Sequence, residues 1–254
     1  MQSVFACLLS LTLAAVTLCR AQNALTKQEV AAGWELLFDG KTTNGWRSPS
    51  VDEFPHECWR VEDGFLTAPG GGKRLSDLRT AGTYRNFELS FEWKISQGGN
   101  SGVKYLIGDF LKGAIDQGKI LAANAQPGPN SVFVEWARGF EYQIIDDERH
   151  PDKDNPKTRT GSLYEIVAAN EAKPRLAGEL NQSRIVINGT RIEHWLNGVQ
   201  VLAADLDAKE FREALAKAPL RSQRAIQYLN QDCPVALQSH GEAVWFRNIK
   251  LRRL

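Results

Sequence analysis

The chain has 254 residues, 43% of them hydrophobic and 24% charged, an ordinary globular composition with room for one large β domain or two small ones. Its formal net charge of +1 gives no electrostatic case for binding nucleic acid or an anionic membrane surface. Residues 5–18 (FACLLSLTLAAVTL) are apolar but too short to span a bilayer. Cys19-Arg20-Ala21 follows with small residues at the two positions a signal peptidase reads. Residues 1–21 therefore read as a secretory signal peptide, and a secreted or periplasmic protein with no membrane span is the expectation. The segment before the apolar run lacks Lys and Arg, which departs from the usual pattern. A lipid anchor on Cys19 is the poorer reading, because Leu18 is large where a small residue is wanted. Removing residues 1–21 takes one Arg and no acid, so the formal charge goes from +1 to 0. Cys7 and Cys19 leave with it. Cys58 and Cys233 remain, either as a disulfide or as two buried thiols.

Residues 22–33 (QNALTKQEVAAG) form a short helical or mobile lead-in, and a domain over 34–254 follows. A first strand is expected at Trp34–Phe38, closed by Asp39-Gly40. Trp59–Val61, the turn Glu62-Asp63-Gly64 and Phe65–Thr67 make a compact hairpin. From Asn86 to Ile95 the alternation is strict: Phe87, Leu89, Phe91, Trp93 and Ile95 against Glu88, Ser90, Glu92 and Lys94. Ser101–Ile107 is the next strand, and residues 108–139, with Pro127-Gly128-Pro129, read mostly as loop. Asn188-Gly189 and Asn197-Gly198 predict two tight hairpins. The first pairs Ile185 with Ile192 and Arg184 with Glu193. The second sets His194 against Val201 on the apolar face, which makes His194 a core histidine. Residues 205–218 predict one helix, capped by Asp205 or Asp207, buried through Phe211 and Leu215 and stopped by Pro219. Strands at 234–240 and 243–251 close the chain. The count, about a dozen short strands and one helix, points to an all-β sandwich of two antiparallel sheets. Trp46, Trp59, Trp93 and Trp245 read as core.

The strand FEYQIIDDERHPD, from Phe140, carries the candidate chemistry. Alternation puts Glu141 and Gln143 on one face and Tyr142 and Ile144 on the other. A bulge at Ile144-Ile145 would bring Asp146 round to the face of Glu141. The resulting E-x-Q-x-x-D is similar to the E-x-D-x-x-E strand of laminarinase- and lichenase-type β-glucanases. Those enzymes carry their nucleophile and acid on one bulged strand of a concanavalin A-like jelly roll. Here an amide replaces the middle acid and the last carboxylate is one methylene shorter, which counts against ordinary glycoside hydrolysis. A solvated outer face accounts for such a polar row equally well.

A wider resemblance covers roughly Gly33 to Leu254. GWELLFDGKTTNGW, WRVEDGFL, NFELSFEWKIS, NSGVKY, EYQIIDDERHPD, TGSLYEI, RIEHWLNGVQV, ALQSHG and VWFRNIKL follow one another in that order. Together they resemble the 3-keto-disaccharide hydrolase family. The resemblance implies a concanavalin A-like jelly roll with one short helix, and cleavage of glycosides whose C3 hydroxyl is already a ketone. Such a substrate would come from a separate sugar 3-dehydrogenase. A C3 ketone acidifies the C2 hydrogen, so one base can start an elimination and no carboxylate pair is needed. On this reading Glu141 is the base, and Asp146 or His240 is the acid or orienting group. Lys104, Gln143, Tyr164 and Gln238 contact the sugar. Where the family often carries Arg, two positions beyond Lys104, this chain has Leu106. The enolate needs a nearby donor, cation or metal; no definite cofactor is implied, and the two carboxylates with His240 could instead hold a divalent metal. A non-catalytic carbohydrate-binding module and an ordinary β-glucanase are the alternatives.

Exported protein is expected to begin near Gln22. Intact-mass analysis checks this, and a retained residue 1–21 or a lipid on Cys19 would contradict it.

Overall fold

The computed structural model describes residues 22–117, 119–121 and 126–254; the signal peptide expected over 1–21 lies outside the described residues. Fifteen strands among them form two packed sheets. The first runs in the order β13 (Val199–Asp205), β12 (Arg191–Leu196), β11 (Asn181–Asn188), β7 (Phe87–Ile95), β15 (Val244–Arg253), β4 (Phe65–Ala68), β3 (Arg60–Glu62), with β1 (Glu35–Leu36) on β15. The second runs β2 (Trp46–Arg47), β6 (Leu78–Thr80), β14 (Ala236–Leu237), β8 (Asn100–Asp116), β10 (Val132–Ile145), β5 (Arg74–Ser76), with β9 (Lys119–Ile120) on β8. All pairings are antiparallel except β5 with β10. This is the expected jelly-roll sandwich.

Strict alternation along β7 buries Phe87, Leu89, Phe91, Trp93 and Ile95 between the sheets. From the facing sheet come Val103, Tyr105, Phe140, Tyr142 and Ile144, all buried. Burying side chains of this size contributes roughly 1.5–3 kcal/mol each. Phe91 meets Tyr142 edge-on across the interface, with ring centroids 5.9 Å apart at 84°. The polar atoms of this layer are satisfied in series: Trp93 Nε1 donates to Ser183 Oγ at 2.8 Å, and Ser183 Oγ donates to Tyr142 Oη at 2.9 Å. On the outer face of β7, Glu88 lies between Arg184 of β11 and Arg252 of β15, at 2.8 and 2.7 Å.

His194 is a core histidine, as expected, with no exposed surface. One ring nitrogen lies 2.9 Å from the Gly161 carbonyl and the other 2.7 Å from Tyr105 Oη. A neutral ring that donates from Nδ1 and accepts at Nε2 satisfies both. Its neighbours differ from the expectation. Gly189, at φ 58°, takes the first central position of the turn, so Asn188 pairs with Arg191 and Ile185 faces His194 rather than Ile192; Glu193 faces Val186, not Arg184. A bulge after His194 sets it against Leu202 rather than Val201. The Asn197-Gly198 turn forms as expected, with both residues at positive φ.

Three further expectations are corrected. Residues 108–139 are not mostly loop, because β8 continues to Asp116 and β10 begins at Val132. The predicted helix is shorter, α2 (Lys209–Ala216), with Ala208 at its N-cap and no side-chain cap from Asp205 or Asp207. Asp205 instead accepts the Asp207 amide, and Asp207 pairs with Arg212. Pro219 ends this helix and starts another, α3 (Leu220–Ala225). Trp245 is half-buried on an outer face beneath Lys94, 4.9 Å from its ring, while Trp46, Trp59 and Trp93 are core. The lead-in carries α1 (Lys27–Ala31), capped by Thr26, and is tied down. Asn23 and Asn248 exchange backbone-to-side-chain hydrogen bonds at 2.5 and 2.8 Å.

Cys58 and Cys233 are both buried and unbonded. Burial pushes the Cys58 thiol up to about 11 and that of Cys233 upward. Neither should react with an alkylating reagent in the native protein, and both should react after denaturation, as peptide mapping will show. Burial holds His194 at about 4, below its ordinary 6.5. The neutral ring is thus the folded form. Its contribution is complete above about pH 6.5 and is lost as pH falls towards 4, a span worth about 3 kcal/mol. The stability of wild type relative to His194→Gln, from denaturant titrations at pH 7 and 4, should fall by about that amount at the lower pH, the comparison cancelling every other titrating group.

Candidate active site

The central strands of the second sheet, β14, β8 and β10, bury one face and turn a polar row to the other. In register, Glu141 of β10 faces Lys104 of β8, and Gln143 faces Gly102. On the opposite side Lys104 faces Ala236 of β14, and the Gln238 amide donates to the Gly102 carbonyl at 2.9 Å. Alternation therefore brings Lys104, Glu141, Gln143 and Gln238 to one surface. Gly102 is the floor beneath them: a Cβ there would run into Glu141 Oε1.

The bulge in β10 is not at Ile144-Ile145, where pairing with β8 is regular. The register shift lies between Arg138, opposite Asp109, and Phe140, opposite Tyr105. Leu106, Ile107 and Gly108 crowd against Gly139 alone, with Leu106 at φ 51°. A Cβ on Gly139 would strike the Tyr105 carbonyl, so a side chain is excluded at the bend. Such an irregularity bends the strands. Beyond it, Leu111 of β8 and Trp136 and Arg138 of β10 form one wall of a cavity of about 570 Å³. The first residues of α3 form another wall, and Ile120, His240 and Tyr164 are also part of the lining.

Glu141, Gln143, Lys104, Tyr164, Gln238 and His240 thus share one cavity. Asp146 does not join them. With no bulge at Ile144-Ile145, it enters the turn that follows β10, where Oδ2 accepts the Gly98 amide at 2.8 Å and Oδ1 the Glu148 amide at 3.1 Å. The expected placement of Asp146 beside Glu141 is therefore corrected, and the three-residue metal set is not assembled. Among the described residues no three His, Cys, Asp or Glu side chains are grouped to hold a metal ion.

Burial pushes the Glu141 carboxyl up to about 7, with Lys104 opposing the shift and Asp77 adding to it. Lys104 Nζ donates to Asp77 Oδ2 at 2.9 Å. The same oxygen accepts the Ala137 amide at 2.8 Å. Asp77 has no exposed surface; burial raises its pKa, and Lys104 and the backbone donors pull it back. Lys104 Nζ also lies 5.9 Å from the Trp136 ring centroid. Trp136 stacks on His240 at 5.4 Å and 9°, and its Nε1 donates to the Ser239 carbonyl at 3.1 Å. Burial and the Lys104 charge hold His240 down to about 4, so its ring is neutral near pH 7. Tyr164 is fixed by its amide, which donates to the Glu141 carbonyl at 3.0 Å. Burial and two nearby carboxylates push its phenol up to about 12. Gln238 is only 7% exposed, yet its Oε1 has no partner among the described residues. It stands ready to accept from a hydroxyl.

Sequence reasoning missed Asp77, Trp136 and the α3 wall. Trp136 lay in a stretch read as loop, and α3 followed a proline read only as a stop. No local pattern marks Asp77; its partners lie 27 and 60 positions away in sequence.

Residues 33–252 match the profile of the 3-keto-alpha-glucoside-1,2-lyase-like domain. A 3-keto-disaccharide hydrolase of Bacteroides thetaiotaomicron is 33% identical over 244 residues, 88% of this chain and 79% of the relative. A candidate glycosyl hydrolase of Parabacteroides distasonis, known from a crystal structure, is 26% identical with a TM-score of 0.70, covering 92% of this chain and 100% of that one. A second from the same organism is 27% identical with a TM-score of 0.56, over 83% and 100% of the two chains. With nearly the whole described chain matched, the protein belongs to the 3-keto-alpha-glucoside-1,2-lyase-like family.

Proposed function

We propose that this protein cleaves glycosides whose C3 hydroxyl has been oxidised to a ketone, with Glu141 as the base that removes the C2 proton. Family membership and the curated relative support a glycoside-cleaving hydrolase of the 3-keto-disaccharide type. The observation that carries the mechanism is the solitude of Glu141. It is the one carboxylate lining the cavity among the described residues, and desolvation pushes its pKa up to about 7. A retaining glycosidase needs two carboxylates about 5–5.5 Å apart. An elimination needs one base with a pKa near the working pH, plus positive charge for the enolate.

The ketone makes C2–H acidic. Glu141 takes that proton, the C1 substituent leaves with its bonding pair, and an enone remains. Water then adds hydroxide at C1, Glu141 returns its proton to C2, and the net reaction is hydrolysis. Lys104, oriented by Asp77, supplies the charge for the enolate oxygen. Gln238 and Gln143 take sugar hydroxyls, and the neutral His240, held flat by Trp136, orients the substrate at the rim. The keto substrate comes from a separate sugar 3-dehydrogenase, and the enzyme acts outside the cytoplasm after export.

The deciding assay compares a disaccharide with its 3-keto derivative and follows free sugar. The keto form should be cleaved and the parent barely touched; equal rates would return the assignment to a β-glucanase. Glu141→Gln keeps shape and loses basicity, so turnover should fall on the order of 10²-fold or more with little change in affinity. Wild-type kcat/KM should rise with pH to a plateau above about 7, where Glu141 is ionised.

Stability should move oppositely. A carboxyl raised from 4.5 to about 7 favours the protonated fold, so the contribution of Glu141 to stability is complete below about pH 4.5 and is lost as pH rises through 7. Above pH 8, Glu141→Gln should be the more stable protein, by up to about 3 kcal/mol, and the gain should vanish near pH 4. Denaturant titration at the two pH values checks it.

A further inference from the structure

We propose that the outer half of the cavity is a subsite for an aromatic leaving group, so that the preferred substrates are aryl 3-keto-glycosides rather than disaccharides; this rests on the reading of Glu141 as the base. The cavity changes character from floor to lip. Its floor is the buried polar row around Glu141. Its lip is formed by Leu111 of β8, Ile120 of β9 and Leu220 of α3, three separate elements converging on one opening. Ile120 and Leu220 are 54% and 69% exposed. Aliphatic side chains presented together at a mouth favour an apolar surface seated on them.

The polar groups of the lip support the same conclusion. They include three arginines, Arg138, Arg221 and Arg224. Arg138 pairs with Asp109 at 3.3 Å and Arg221 pairs with Glu165, whereas Arg224 has no ion-pair partner among the described residues. Guanidinium groups donate and accept nothing. A second sugar's hydroxyl oxygens could accept from them, but its hydroxyl protons would meet only one side-chain acceptor on the α3 wall, the buried Ser222 hydroxyl. An aromatic ring fits both the aliphatic lip and a guanidinium plane, and an aryloxide oxygen only accepts.

The chemistry of departure agrees. A sugar alcohol is a poor leaving group unless protonated as it leaves. Leaving aside the permanently charged arginines, Glu141 is occupied as base and Lys104 is bound to Asp77 among the titratable groups in the cavity. The remaining two, neutral His240 and the Tyr164 phenol, hold no readily given proton near pH 7. An aryloxide needs none. As the C1–O bond breaks, its electron pair passes to the phenolic oxygen, whose charge the lip arginines meet. The phenol takes its proton from the water whose hydroxide adds to C1. A volume of about 570 Å³ accommodates a pyranose and a second ring together.

The mature full-length chain should be assayed with phenyl 3-keto-glucoside and with a 3-keto-glucosyl disaccharide of the same anomer. Each kcat/KM is divided by that substrate's uncatalysed rate of base elimination, so intrinsic leaving-group ability drops out. The normalised value should be at least about 10-fold higher for the phenyl substrate, the scale of a small apolar contact. Leu220→Ser, on an exposed residue, should raise KM for the phenyl substrate several-fold more than for the disaccharide. Arg224→Gln should steepen the dependence of rate on phenol acidity across substituted phenyl substrates. A higher normalised value for the disaccharide, or equal losses on both substrates in Leu220→Ser, would overturn the subsite. Equilibrium binding of free 4-nitrophenol separates the two claims. Saturable binding that Leu220→Ser weakens, without turnover of any keto substrate, would sink the base assignment and sustain the subsite. Turnover without such binding would sink the subsite alone.

Discussion

A single buried carboxylate holds the working face together. Asp77 sits between β5 and β6 and accepts from Lys104 of β8, from the Ala137 amide of β10 and, at 3.4 Å, from the Ser239 amide beyond β14. One side chain thus ties the three strands that carry the cavity floor to the segment that joins two others. Placing an ion pair in a dry interior is expensive, and removing one partner typically costs about 3–5 kcal/mol. Such a pair contributes little to net stability against an apolar replacement. What it secures is a fixed ammonium position next to Glu141, the arrangement a reaction through an enolate requires.

The same face shows why the two ionisable groups at the heart of the molecule behave oppositely. Glu141 is half-buried at the cavity floor and His194 is fully buried between the sheets. Burial favours the neutral form of each, which raises the acid and lowers the base. Glu141 therefore costs stability where it is ionised. His194 costs nothing at neutral pH, because both ring nitrogens have partners. Between about pH 4.5 and 6.5 the two effects offset each other, so the acid weakness of the core is partly masked by the carboxyl above it.

How much of this was legible in the sequence follows from how local each signal is. The alternation of Phe87 to Ile95 and the Asn197-Gly198 turn are written in adjacent residues, and both formed as read. The face shared by Glu141 and Gln143 is equally local. Asp146 was misplaced because bulge position depends on the partner strand, and here the irregularity follows from Gly139 meeting the Tyr105 carbonyl. The hairpin register slipped for a related reason: Asn188-Gly189 marks a turn but does not say which two residues stand at its centre. Asp77 had no legible signal at all. Its meaning comes from strands brought together from distant parts of the chain.

The bend at Gly139 separates the molecule into parts with different freedom to change. The floor rests on paired strands where glycine, a buried ion pair and a close-packed underside leave almost no admissible substitutions. The lip is carried by the far ends of β8 and β10, by β9 and by the short α3, whose Leu220 and Arg224 project into solvent. Changes there do not pass through the core. On the proposed reading, one reaction can be kept constant while the accepted aglycone drifts, and exchanging α3 alone would redirect it.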